Sequence, residues 1–212
     1  MNALRQIEYA GRNCYRSHDK ITNDSAPAFV RSLIRRGHLA PLEFADMSVE
    51  LVTSRDVMAE LTRHRLASFC IESQRYVCMN GEIAFILPCF YRESDEASEF
   101  WEFCMTDAEQ SYHFLLEKGL KPEDARKILP NSTATHIVMK ANIREWRHIF
   151  SLRLGKGVQI HAVGGGVLVV VVQEHADVIV GDLAGQLLEG GVRHQVVHDG
   201  VLIVGGIQRI VK

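Results

Sequence analysis

The stretch Met47-Ser48-Val49-Glu50-Leu51-Val52-Thr53 sets Met47, Val49, Leu51 and Thr53 on one side and Ser48, Glu50 and Val52 on the other. A period of two predicts a strand with a core beneath one face. Upstream, Leu4, Ile7 and Ala10 recur at helical spacing within residues 2–15. Phe29, Val30, Leu33 and Ile34 do the same within 26–36, where Gly37 is placed to end the helix. Downstream, Ser54 is placed to cap a helix running to about Arg65, with Val57, Met58 and Leu61 as its apolar stripe. Strand-like pieces are expected at 76–78 and 82–87. A long amphipathic helix over 95–118 should bury Phe100, Cys104, Tyr112 and Leu115 and stop at Gly119. Pro122 opens a short helix to Leu129. Residues 132–140 alternate through Thr133, Thr135, Ile137 and Met139 as another strand, and Asn142 is placed to cap a helix over 143–154. Helices and strands mix without a regular βαβ rhythm. The fold class expected is therefore α+β, an antiparallel or mixed sheet flanked by helices.

The 212 residues are 47% hydrophobic and 24% charged, an ordinary globular balance that excludes disorder and collagen. A net charge of -2 gives no broad attraction to nucleic acid, so phosphate binding must come from locally placed arginines. Glycine is unevenly spread: 12 of the 16 fall in the last 58 residues, beyond the last aromatic, Phe150. The chain thus divides into residues 1–154 and a Val/Gly-rich segment at 155–212, the latter expected as short strands in a meander or as an irregular tail. Five cysteines without a Cys-x-x-Cys pair, and no secretory signal, lead us to expect a reduced, cytoplasmic protein. The longest aliphatic run, residues 167–172, is far short of the ~20 needed to cross a bilayer, so no membrane association is expected.

Arg63-His64-Arg65, followed after seven residues by Ser73-Gln74-Arg75-Tyr76, is the densest polar group in the chain. Three guanidiniums offer rigid donor forks suited to bidentate phosphate contacts, and Ser73 and Gln74 add neutral hydrogen-bonding groups. The plain alternative is a basic helix end that complements the helix dipole. No Gly-x-Gly-x-x-Gly or Gly-x-x-x-x-Gly-Lys loop occurs in the first 154 residues, so a dinucleotide would not be held in the Rossmann manner. Other candidates read as structural. Pro88-Cys89-Phe90 has no adjacent histidine to activate a thiolate. His194 and His198 have a metal-compatible helical spacing but lack a completing ligand set, so no metal site is expected. Trp101 and Trp146 fall at core helix positions.

The run from Thr62 to Val77 closely resembles the signature of the flavin-dependent thymidylate synthases, an Arg-His-Arg followed by seven residues and Ser. Four further blocks agree in order and spacing: Cys14-Tyr15; Gly37-His38-Leu39-Ala40-Pro41-Leu42-Glu43; the run from Glu123 to Pro130; and the run from Asn142 to Arg153. The resemblance implies methylation of dUMP to dTMP, with methylenetetrahydrofolate supplying the carbon and NADPH-reduced FAD the hydride. It also implies a homotetramer with shared sites and no cysteine nucleophile. Carried over by position, it implies a nucleotide site at Glu60, Arg63, Ser73, Gln74, Arg75, Arg126 and Arg153. The flavin site it implies comprises His38, Arg63, His64, Arg65, Glu123, Asn142, Arg144 and His148. Arg153 is the expected catalytic group. Uracil must be polarised along its N3 to O4 edge, and a guanidinium stabilises charge there without surrendering a proton.

Departures from the family pattern also stand out. Ala40 replaces a usual hydroxyl, Phe44 a common His, and Ile71 a usual Glu or Gln. Beyond Leu154 only Gln159-Ile160-His161, or with an insertion Glu174-His175-Ala176-Asp177-Val178, matches the family block. The glycines there oppose a final helix, at roughly 1 kcal/mol per position relative to Ala. The alternative function is a non-catalytic nucleotide-binding relative that fails to complete a tetrameric site. An RNA-binding use of the Arg-His-Arg segment is opposed by the net charge.

Overall fold

The computed structural model describes residues 2–88, 91 and 94–153, together with the course of four short strands within 168–211. Two amphipathic helices lead the chain. Helix α1 (Ala3–Asn13) is capped by Asn2, whose side chain accepts from the Arg5 amide. Helix α2 (Ser25–Arg35) ends where Gly37 takes a left-handed φ of 72°, which lets the Gly37 and His38 amides close onto Ile34 and Leu33 carbonyls. The two helices meet at Gly11, where an added Cβ would stand 2.8 Å from the Phe29 ring.

Strand β1 (Asp46–Ser54) follows, then helix α3 (Arg55–Leu61), strand β2 (Ala67–Ile71), the two-residue strand β3 (Phe85–Ile86), helix α4 (Asp95–Glu117), the short helix α5 (Pro122–Ala125), strand β4 (Ala134–Asn142) and helix α6 (Ile143–Arg153). The first sheet has the order β1-β4-β2 and is antiparallel throughout. Its register sets Val49 opposite Met139 and Leu51 opposite Ile137, with Phe69 and Ile71 of β2 on the same two β4 residues. These side chains form one core with Ile7, Val30, Leu42, Ile143 and Trp146. Burying each large apolar side chain contributes about 1.5–3 kcal/mol. The Trp146 indole donates to the Met47 carbonyl at 2.9 Å, fastening α6 to β1. A second core gathers Ile83, Phe85, Trp101, Met105 and Tyr112 between α4 and the segment before it.

The α+β class is as the alternation predicts, and the inward faces of β1 and β4 are the expected ones. Several details differ. Ser54 makes no capping hydrogen bond; it is the last residue of β1, paired with Ala134 of β4. Helix α3 is a turn shorter than expected, and residues 67–71 form a strand that the polar motif obscured. Residues 76–78 are not a strand: the Tyr76 and Val77 amides both turn back to the Ser73 carbonyl. Strand structure in 82–87 is confined to Phe85–Ile86. The short helix gives way at Ala125 to a 3-10 turn, Arg126–Ile128. Phe100 is 67% exposed rather than buried, because α4 turns Trp101, Met105 and Tyr112 inward.

In the Val/Gly-rich segment, strands β5 (Leu168–Val171), β6 (His194–Val197), β7 (Val201–Val204) and β8 (Ile210–Val211) are described. The order β5-β7-β6 forms one antiparallel sheet, and β8 pairs with β3. His194 opens a strand rather than lying in a helix. Cys89, His198 and the two partial family matches after residue 158 lie outside the described residues. No helix among the described residues is long and apolar enough to cross a membrane.

Candidate functional site

Four segments distant in sequence meet around Arg55, the first residue of α3. Its Nη1 donates to the Glu72 carbonyl at 3.3 Å and to the Thr135 hydroxyl of β4 at 3.2 Å. Burial and then the charge of Arg126 push the Arg55 guanidinium below its ordinary value, while Glu72 pulls it up. Two cations held this close repel each other, an arrangement suited to an arriving anion. The turn after β2 supplies the rest. Ser73 Oγ accepts from the Arg75 amide, and Arg75 Nε donates to Glu123 at 2.8 Å. Arg126 Nε donates to the Glu123 carbonyl, which leaves its terminal nitrogens without a partner among the described residues. Gln74 is 8% exposed, yet its Nε2 is buried with no hydrogen-bond partner. An orphaned amide costs about 1–3 kcal/mol unless a ligand satisfies it.

A second group forms where the C-terminal end of α6 meets the end of α3. Arg153 Nη2 donates to the Glu60 carbonyl at 2.9 Å, and Nη1 stands 3.6 Å from the Glu60 carboxylate. Arg153 Nε donates to His64 Nε2 at 3.3 Å. His64 is buried, and its Nδ1 lies 3.8 Å from the carboxylate of buried Glu145. Burial, then Arg153, lower the His64 pKa, His148 adds to this, and Glu145 opposes it. The balance of these effects favours the neutral imidazole.

A groove of about 700 Å³ runs along the other side of α6, lined by Leu39, Glu43, Leu66, Asn142, Arg144, Glu145, Arg147, His148 and Ser151. A cavity of about 420 Å³ shares Leu39 and Arg144 with it and adds Cys14, Tyr15, His38 and Ala40. Asn142 Oδ1 caps α6 by accepting from the Glu145 amide at 2.8 Å. Arg144 pairs with Glu43 across the groove. Volumes of this size suit a small-molecule cofactor. His38, Asn142, Arg144 and His148 are thus brought together. Arg63 and Arg65 are exposed at the end of α3, without side-chain partners among the described residues. Glu123 sits with Arg75 and Arg126 rather than on the groove.

The family model of the thymidylate synthase complementing proteins matches residues 1–162. The chain belongs to this family. It is 35% identical over 147 residues to a flavin-dependent thymidylate synthase of Pyrococcus abyssi, covering 68% of this chain and 60% of that protein. To that of Corynebacterium efficiens it is 33% identical over 207 residues, covering 88% and 82%. Among solved structures, a UMP/dUMP methylase from Streptomyces cacaoi bound with 5-bromo-dUMP superposes with a TM-score of 0.58 at 26% identity, covering 71% of this chain and 72% of that one. The chain spans 60% and 64% of the lengths of its Pyrococcus abyssi and Pyrococcus furiosus relatives.

Within this thymidylate synthase complementing fold, two residues escape a sequence reading. Arg55 carries one signal that could have found it: a cation in the first turn of a helix opposes the dipole and so needs a reason to be there. Glu145 carries none, since a glutamate in the first turn of a helix is favourable anyway.

Proposed function

We propose that the protein methylates dUMP to dTMP, taking the carbon from methylenetetrahydrofolate and the hydride from FAD reduced by NADPH, without a cysteine nucleophile. The observation that carries this is the linkage of Arg75 and Arg126 through Glu123, with Arg126 close enough to repel Arg55 and with Gln74, next in the chain to Arg75, holding a buried unsatisfied amide; such a set suits a phosphorylated ligand. Arg75 and Arg126 clamp the nucleotide phosphate, with Arg55 behind them. Ser73, Gln74, Glu60 and Arg63 complete the nucleotide site. Arg153 is the catalytic group: anchored by Glu60 and His64, its guanidinium stabilises charge on the uracil edge.

The groove and its adjoining cavity fit a flavin by size and by donor set, with His38, Asn142, Arg144 and His148 on their walls. Arg63, His64 and Arg65 supply charge and hydrogen bonds from the end of α3, and Glu123 positions Arg75 at the boundary. FAD held there would, once reduced by NADPH, supply the hydride for the transferred carbon. Arg144 and Arg153 lie nine positions apart on α6, about 180° around it, so flavin and nucleotide contacts face different ways. A homotetramer with shared sites accommodates that. Residues 1–154 form the catalytic core, residues 155–212 a divergent Val/Gly-rich segment, and the enzyme works in the cytoplasm.

Purified protein should be yellow and should oxidise NADPH faster when dUMP and methylenetetrahydrofolate are present, forming dTMP. Light scattering should give a tetramer. Protein that binds dUMP but forms no dTMP would overturn the reading in favour of a non-catalytic relative.

A further inference from the structure

Arg153 does not hold its place through Glu60 alone. Its Nε donates to His64 Nε2, so that nitrogen must present a lone pair. A neutral imidazole carries one hydrogen, which then resides on Nδ1, facing the Glu145 carboxylate 3.8 Å away. Were the hydrogen on Nε2 instead, two N–H groups would point at each other and Arg153 would lose this anchor. Both His64 and Glu145 are more than nine-tenths buried, so water does not readily stand in for either.

We propose that Glu145 is a positioning residue that acts through His64 on Arg153, fixing the His64 tautomer and thereby the orientation of the Arg153 guanidinium. A carboxylate only accepts, so it favours the Nδ1–H form alone, whereas an amide could face His64 with either its oxygen or its nitrogen. Glu145 is itself held in place, because its amide is capped by Asn142 Oδ1 at the junction of β4 and α6. The chain of contacts therefore runs from the wall of the groove, where Glu145 is a lining residue, to the catalytic arginine on the other side of α6. Its consequence for turnover rests on the reading of Arg153 given above; its consequence for the tautomer does not.

Glu145→Gln in the full chain tests both. Nitrogen-15 spectra of the wild-type protein should show His64 neutral with its hydrogen on Nδ1, and the variant should show a mixture of tautomers. In steady-state assays kcat should fall about ten- to hundredfold, the usual cost of removing a group that orients a functional one, with the KM for dUMP nearly unchanged. A wild-type His64 carrying its hydrogen on Nε2, or a variant that keeps a pure Nδ1–H form, overturns the proposal. So does unchanged kcat in a wild type that turns over. Should the variant not fold, the wild-type spectrum still decides. A wild type that forms no dTMP defeats the functional reading, while the tautomer measurement stands apart from it.

Discussion

Replacing Arg126 by glutamine should move stability and ligand affinity in opposite directions. Without ligand, Arg126 faces the half-buried Arg55, whose pKa is lowered by burial first and by Arg126 second. Removing one charge relieves that repulsion. Discounted for solvent screening, such a contact is worth about 0.2–1 kcal/mol, and the glutamine amide can still donate to the Glu123 carbonyl. For a chain of this size the gain corresponds to a rise in melting temperature of up to about 2–4 °C. With dUMP bound, the same substitution removes a charged hydrogen bond to phosphate worth about 1.5–3 kcal/mol, a loss of roughly ten- to hundredfold in affinity. Melting curves should therefore cross. The variant should be the more stable without nucleotide and the less stable at saturating dUMP, since bound ligand stabilises in proportion to RT ln(1 + [L]/Kd). Calorimetric titration with dUMP gives the affinity directly. A variant that binds dUMP as tightly as the wild type would refute the placement of phosphate against Arg126. One that melts lower without ligand would refute the stored repulsion.

Arg153→Ala should abolish dTMP formation while leaving flavin absorbance in place; near-normal turnover would remove Arg153 from its role. Gly11→Ala should destabilise the fold by up to about 2 kcal/mol in denaturant titration, because overpacking against Phe29 outweighs the helix propensity gained. Ser94→Ala should cost about 1 kcal/mol, since Ser94 caps α4 by accepting from the Ala97 amide. His64 should make stability depend on pH. With its native pKa below the ordinary 6.5, the unfolded chain takes up a proton first. Stability should be full above about 6.5, fall as pH drops through the interval down to the lowered native value, and level off below it. Equilibrium unfolding of His64→Gln across that range should show a flatter slope.

Elements whose amphipathic period spans a whole segment were legible in the sequence: α1, α2, β1, α4, β4 and α6 all lie within a few residues of their expected limits. Strand β2 was not. Ala67, Phe69 and Ile71 do alternate with Ser68 and Cys70, but five residues inside a polar motif carry little weight, and it is pairing with β4 that stabilises the strand. Ser54 shows a local preference that tertiary structure does not use, since it ends β1 paired with Ala134 and its side chain makes no cap. In α4 the neighbouring Phe100 and Trp101 compete for the core, and the period alone does not choose between them. The arginines of the site were readable because three of them sit in dense motifs. Arg55 was not, because its meaning lies in Glu72, Arg126 and Thr135, which the sheet brings to it from 17 to 80 positions away.

Strand β4 passes into α6 without an intervening loop, Asn142 ending one and Ile143 beginning the other. Thr135, beside Arg55, and Asn142, at the groove, are thus separated by about 23 Å of strand. Arg153 lies a further ~16 Å along the helix. The junction behaves as a jointless ruler on which all three stations are engraved. Substitutions along it alter single marks, but a change of length shifts every mark beyond it. One residue inserted in β4 would turn its core side chains to the opposite face, and one inserted early in α6 would rotate Arg144, His148 and Arg153 together by about 100°. Variation in this span should therefore be by replacement only, with gain or loss of residues confined to the turns that do not carry the scale.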